Sequence, residues 1–435
     1  MKRIIIAVIL IAISISIFSC DRNEDGITVN VREGEITMDR VQYNGWHDFV
    51  SNENYVFAGW YFDTKSAAKY NLTTGTVTEV CVKPGCDHMK AFEFNPDGCP
   101  VPKDIDPMFT IGNKLYYTYH IIMADKEELE TLTDGGSVKS TIWDYFASYD
   151  ITTGEYSELI KSNATEFDGL SSFIYRDGRI YYNRFMPSVP DPKEEKDYDL
   201  CLCSMDTDGN DQKVLCNYSD YKEIRTGMDP MLIAVVDSTV WFVSNETGQL
   251  FSVDTETNEI RFLVRGDDGF LGIYDGYGTF YCDGYIYFEQ FASDVDDTIP
   301  EFSAQIAYRV DCESGKIERL FDDYVSWIFV TDDAVYYEMS EAQPTEAQTE
   351  EAGGMHVHVI KKTDHEGNPI DTYSFREDYT TITGVWGAAD RMFFVAGYRD
   401  DYKYGPDEGE MGVFIIVLDL RDGSIKEIGR ESVPR

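Results

Sequence analysis

The chain repeats one apolar signature: an aliphatic residue followed by two aromatics, usually behind a polar turn. It reads Leu115-Tyr116-Tyr117, Ile180-Tyr181-Tyr182, Val240-Trp241-Phe242, Ile286-Tyr287-Phe288, Val335-Tyr336-Tyr337 and Met392-Phe393-Phe394, with a looser copy at Tyr55-Val56-Phe57. Gly112-Asn113, Asp177-Gly178, Asp283-Gly284 and Asp332-Asp333 precede four of these runs. Short aromatic and β-branched runs after such punctuation predict strands leaving hairpin turns.

A second element follows each first one, starting at Asn71, Asp150, Asp206, Asp254, Asp311, Asp364 and Asp419. Four positions on stand Gly75, Gly154, Asn210, Asn258, Gly315, Asn368 and Gly423, the residue types that best tolerate a left-handed backbone. A leading Asp or Asn bonds the backbone two residues on, as an Asx-turn. Further strands follow, such as Ile317-Glu318-Arg319-Leu320 and Ile425-Lys426-Glu427-Ile428. Two hairpins per unit give four antiparallel strands, and the turns are spaced 79, 56, 48, 57, 53 and 55 residues apart. Repeats of four strands at about 40 to 50 residues are the mark of a β-propeller. The expected fold is therefore all-β, a β-propeller of seven four-stranded blades over residues 45–435. A β-sandwich pair or an open solenoid is the alternative architecture, and six or eight blades the alternative count. Residues 27–31 add a strand to the ring closure or serve as linker.

The start of the chain has a different pattern. Lys2 and Arg3 precede a largely apolar stretch from Ile4 to Ile17, and Phe18-Ser19-Cys20 then runs into Asp21-Arg22-Asn23-Glu24-Asp25. A basic start, a short apolar core and a small residue at the cut predict a secretory signal over residues 1–19. The stretch is shorter than the roughly 20 residues a membrane-spanning helix needs. Ile17-Phe18-Ser19-Cys20 resembles a bacterial lipobox, which implies lipidation of Cys20, attachment to the cell membrane and an extracytoplasmic location. A plain signal peptide or uncleaved anchor is the alternative. Residues 20–44 read as a linker.

Composition narrows the partners. The 435 residues carry 37 Lys and Arg against 79 Asp and Glu, a net charge of -42. That balance excludes nucleic acid, whose binding rests on cations neutralising phosphates. With 43% hydrophobic and 14% aromatic residues, the chain is too apolar for an acidic disordered protein.

The longest repeat spacing holds an insertion, residues 81–107, with Cys81, Cys86, His88 and Cys99. Three Cys and one His have the ligand inventory of a tetrahedral structural zinc site, and Pro84-Gly85 turns the chain between the first two thiols. A disulfide among Cys81, Cys86 and Cys99, or buried free thiols, are the alternatives. Cys203 and Cys216 flank the Asp206 turn about symmetrically, so a disulfide across that hairpin is feasible, as is a pair of small buried hydrophobes. Cys201, Cys282 and Cys312 read as ordinary strand residues. His356 and His358 share one face of a strand, and a satisfied structural pair is favoured there over a metal site. Asp206 to Asp211 has calcium-loop composition without the EF-hand order, and a plain turn is favoured. The segments around 125–140, 340–354 and 398–410 read as acidic loops.

Catalytic motifs are missing: no Gly-x-Ser-x-Gly, no His-Glu-x-x-His, no phosphate loop and no dinucleotide fingerprint. Cys81, Pro84, Cys86, His88, Cys99 and Pro100 fit the pattern Cys-x-x-Pro-x-Cys-x-His … Cys-Pro. With the repeats and the lipobox, the chain resembles TolB-like β-propeller lipoproteins of anaerobic, clostridial-type bacteria, a group without assigned activity. The resemblance implies a propeller at the cell envelope and lends no catalytic residues. The functional expectation is a non-enzymatic module that binds an envelope protein or glycan. A propeller enzyme acting on carbohydrate through loop carboxylates is the alternative.

Overall fold

In a computed structural model of the chain, the residues described are 49–59, 66–86, 88, 99–102, 105–124, 140–163, 169–189, 198–221, 230–244, 249–264, 278–291, 305–339, 356–377, 381–388, 391–399 and 411–433. Residues 1–48, with the expected signal segment, Cys20 and linker, lie outside them. Among the described residues there are 28 strands and one short 3₁₀ turn, so the all-β expectation holds.

The strands form consecutive antiparallel meanders. Four-stranded sheets span residues 49–79, 106–163, 170–217, 231–264 and 381–433, and one eight-stranded sheet spans 280–377. Seven separate four-stranded blades were expected; five are present. The eight-stranded sheet joins two meanders through a single residue pair, Gln305 with Val325. The cause is local. Strand Ile317–Arg319 has three residues and covers only positions 308–310 of its neighbour, which leaves the edge at Gln305 open to Val325.

The aliphatic–aromatic–aromatic signature is explained by burial on both faces. In strand Thr239–Ser244, Val240 and Phe242 pack toward the 170–217 sheet, while Trp241 and Val243 pack toward the meander that begins at Phe280. A strand covered on both sides reads as a continuous apolar run instead of an alternating one. Each sheet packs against the next in this way, and the last covers the first: Phe393, Ile415 and Val417 lie on Val56, Ala58, Ala68 and Tyr70. Arg391 Nη1 also donates to Glu53 O across that seam at 2.7 Å. The packing closes a ring, and the fold is a β-propeller.

All seven Asx-turns form. The side-chain oxygen of Asn71, Asp150, Asp206, Asp254, Asp311, Asp364 or Asp419 accepts from the amide two residues on, at 2.8–3.0 Å. In five loops the left-handed residue is the expected one, with φ of 74° at Gly75, 76° at Gly154, 59° at Asn258, 73° at Gly315 and 71° at Gly423. The other two are tighter by one residue. Gly209 (φ 80°) and Gly367 (φ 88°) take the left-handed position, and Asn210 and Asn368 close the turn onto the leading Asp.

Candidate metal centre

The insertion leaves the first sheet directly after strand Val77–Glu79. Val80 N donates to Ala67 O at 2.8 Å, which places Cys81 inside, 5% exposed. Val82 N then donates to the Tyr149 hydroxyl of the second sheet at 2.8 Å. Lys83-Pro84-Gly85-Cys86 folds back as a turn: Cys86 N donates to Lys83 O at 3.2 Å, and Gly85 has φ 74°. Pro followed by a residue with positive φ is the sequence a type II turn requires. His88 is itself left-handed, with φ 56°. Cys99, fully buried, returns between the two sheets: Tyr117 of the second sheet donates to Pro100 O at 2.5 Å, and Ala67 N of the first reaches Pro102 O at 3.3 Å.

These anchors bring one ligand atom each from Cys81, Cys86, His88 and Cys99 within 4.8 Å of one another. Cys99 Sγ lies 3.7 Å from His88 Nδ1. A tetrahedron of thiolates at the usual zinc–sulfur length of about 2.3 Å has edges of about 3.8 Å, so the donors are spaced for zinc. The thiols already divide their protons unequally. The hydrogen bond from Cys99 lowers the Cys81 thiol to about 5 against the opposing effect of burial, with the Lys83 backbone, Tyr149 and Cys86 assisting. Cys99 is pushed far upward by that same bond and by burial, and its proton is held toward Cys81 and Val101 O. A cation replacing the shared proton meets a site already biased toward thiolate. Three sulfurs and one nitrogen form a complete tetrahedral set with no position left for substrate, which is the composition of a structural site. Cys81, Cys86 and Cys99 are free thiols, and no disulfide joins them.

Cys203 and Cys216 require a correction. Their strands pair Leu202 with Cys216 and Cys203 with Val214, with a register shift between. Cys203 packs among Phe146, Phe173 and Cys201 toward the second sheet, and Cys216 among Leu200, Tyr218 and Leu232 toward the fourth. Both are free thiols on opposite faces, and burial raises each to about 12. The hairpin symmetry is real in sequence, but the register shift separates the two side chains.

The Asp206 loop is a turn and not a cation site. Asp206 Oδ1 accepts from the amides of Asp208 and Asn210, Asp208 pairs with Lys114, and Asp211 pairs with Arg179 and Lys213. His356 and His358 stand two apart in strand His356–Thr363, and their side chains lie outside the described residues. So do most of the acidic loops at 125–140, 340–354 and 398–410. A cavity of about 460 Å³ opens beside Asp323, Tyr337 and Lys361. Its Lys361 is already paired with Asp323 at 2.7 Å. Sequence reasoning missed a second convergence, of Cys282 with His365, whose only signal is a Cys and a His next to turn motifs. Among the described residues no helix is long and apolar enough to cross a membrane.

No family model matches the chain, and neither does any curated protein. Solved structures similar to it include TolB from Acinetobacter baumannii, 13% identical with a TM-score of 0.32, covering 73% of this chain and 70% of that one. The β-propeller domain of the Trilobed protease from Pyrococcus furiosus is 10% identical with a TM-score of 0.39, covering 89% of this chain and 96% of that one. An oligogalacturonate lyase in complex with manganese is 11% identical with a TM-score of 0.42, covering 67% and 73%.

Proposed function

We propose that the protein is an extracytoplasmic β-propeller, tethered to the bacterial membrane by lipid on Cys20, that binds an envelope protein or glycan through its turns and loops without catalysing a reaction. In this reading Cys81, Cys86, His88 and Cys99 hold a structural zinc ion that staples the longest insertion between the first and second sheets. The observation that carries it is the convergence of those four donors within 4.8 Å, anchored from both sheets. A closed S₃N set suits a rigid scaffold better than a reaction centre. Rigid scaffolds of this kind commonly present their binding residues on loops.

Elemental analysis of the purified protein tests the zinc. Wild type is expected to lose one equivalent on Cys86→Ser, with a lower melting temperature after chelation; no difference between the two proteins refutes it. Palmitate labelling tests the anchor, and equal labelling of wild type and Cys20→Ala rejects it. A glycan array and an envelope pull-down, run beside a hydrolase panel, test the binding role. Turnover of a carbohydrate with no stable partner favours the enzyme alternative.

A further inference from the structure

Three turns meet where the two meanders of the eight-stranded sheet pack together. The first is the Asp283-Gly284 hairpin, in which both residues have positive φ (48° and 82°) and Cys282 pairs with Tyr285. The second is the turn after Val330, carrying Thr331, and the third is the Asp364 loop, carrying His365. Cys282 and His365 are 83 positions apart, yet Cys282 Sγ lies 3.8 Å from His365 Nε2. One ligand atom each from Cys282, Asp283 and His365 falls within 4.8 Å of the others. Cys282 is buried and Asp283 exposed, so the cluster runs from the packed interior to solvent.

The repeat supplies an internal comparison. In the second and third sheets the equivalent hairpin tip carries Ile111 and Gly112, and the equivalent loop carries Thr207, whose carbonyl accepts from Tyr116. None of these offers the thiolate, carboxylate or imidazole that a transition metal prefers. In the eight-stranded sheet, Arg309 Nη1 takes the carbonyl of His365 at 2.6 Å, while Arg309 itself is fixed by Glu318. Tyr287, the counterpart of Tyr116, keeps a buried hydroxyl without a well-formed hydrogen bond, its ring 5.8 Å from that of His365. Thr207 and Tyr116 close the equivalent joint without such donors. A left-handed Asp recurs at the hairpin tips (Asp177, Asp237, Asp283), so what is particular to this joint is Cys282 facing His365 beside that Asp.

We propose that Cys282, Asp283 and His365 form a second metal site for a borderline divalent cation, zinc in the first instance. Thr331 O now lies 2.9 Å from His365 Nε2, which donates to it, and 3.7 Å from Cys282 Sγ. On binding, the thiol proton is released, the imidazole proton passes from Nε2 to Nδ1, and the cation takes Nε2 in place of Thr331 O. Three protein ligands of S, N and O type leave a coordination position on the Asp283 side for water or an anionic ligand, unlike the closed S₃N set of the insertion.

Metal-stripped protein reloaded with zinc tests the proposal. Wild type is expected to hold two equivalents, Cys86→Ser one, Cys282→Ser one, and the double variant none. Asp283→Asn, exposed and outside the core, is expected to weaken the second equivalent by more than the roughly 10–100-fold that loss of an outer-shell partner costs. Cobalt loading of Cys86→Ser should show a thiolate-to-cobalt charge-transfer band that His365→Gln removes. Loss of all zinc with Cys86→Ser, or a second equivalent that survives both Cys282→Ser and His365→Gln, overturns the site. Zinc retained by Cys86→Ser and lost from Cys282→Ser supports this site while refuting the one in the insertion.

Discussion

The amide of Ile328 donates to the side-chain carboxyl of Glu289 (Oε1) across the two meanders of the eight-stranded sheet. Glu289 is almost fully buried, and burial raises it to about 8 from an ordinary 4.5, with the amide only partly opposing. The native state therefore holds one proton more than the unfolded chain between about pH 4.5 and 8. Its contribution is complete below that window and is lost as pH rises through it, with a ceiling of about 5 kcal/mol. Glu289→Gln keeps an acceptor for Ile328 and should flatten the fall in melting temperature across the window. An unchanged slope refutes the assignment.

Glu338 does related work one strand pair away. Its Oε2 accepts from Trp327 Nε1 at 2.7 Å, with both side chains buried. Glu338→Ala strands the indole N–H and should cost about 1–3 kcal/mol in denaturant titration. Glu338→Gln, which keeps an acceptor oxygen, should cost clearly less.

Two left-handed glycines in different surroundings make a backbone prediction. A Cβ at Gly367 would stand 2.6 Å from Leu320 O at a φ of 88°, whereas Gly178, at φ 80°, faces open space. Gly367→Ala should lose about 1–3 kcal/mol to backbone strain alone, and more through the clash. Gly178→Asn should cost about 1 kcal/mol or less, since Asn tolerates this conformation. Equal melting temperatures for the two variants contradict this account.

Asp311 is stabilised as an anion by its own turn. The Ser314 amide and hydroxyl and the Glu313 amide hold its carboxyl below the ordinary 3.8. Its stabilising effect is present above that value and declines as pH falls through the lowered one. Asn71 performs the same turn uncharged, with amides bonded to its Oδ1 at 2.9 Å. Asp311→Asn should therefore fold near neutral pH with a flatter acid limb, and Asp311→Ala should melt lower than either. Acid titration followed by circular dichroism separates the three.

Thiol mapping checks the cysteines. Alkylation of the denatured protein without reductant should modify Cys201, Cys203 and Cys216 individually, and a cross-linked 203–216 peptide pair contradicts the register. In the native protein the three should react slowly, because burial keeps them protonated, at about 11 for Cys201 and about 12 for the others.

What was legible in the sequence was local chemistry. An Asx-turn is decided within six residues, so all seven appeared in the pattern. The placement of the left-handed residue was ambiguous only where Gly209-Asn210 and Gly367-Asn368 offered two candidates side by side. The insertion's Cys and His lie within nineteen residues, close enough to be read as one element. The fusion of two meanders depends on how short strand Ile317–Arg319 is, and the separation of Cys203 from Cys216 on a one-residue register shift. Neither leaves a compositional trace. The meeting of Cys282 with His365 comes from ring geometry, which spacing along the chain does not encode.

The seam between the first and last sheets sets an order of events. Val56 and Ala58 find their cover in Phe393, Ile415 and Val417, and the hydrogen bond across the same joint links positions 338 apart. A chain emerging from its N-terminal side exposes that apolar face while every later sheet is still being delivered. Contacts of such long range are the slowest to form and leave intermediates prone to association. Until the last sheet arrives, Val56 and Ala58 lack this apolar cover, so removing the last sheet would leave that face of the first one open.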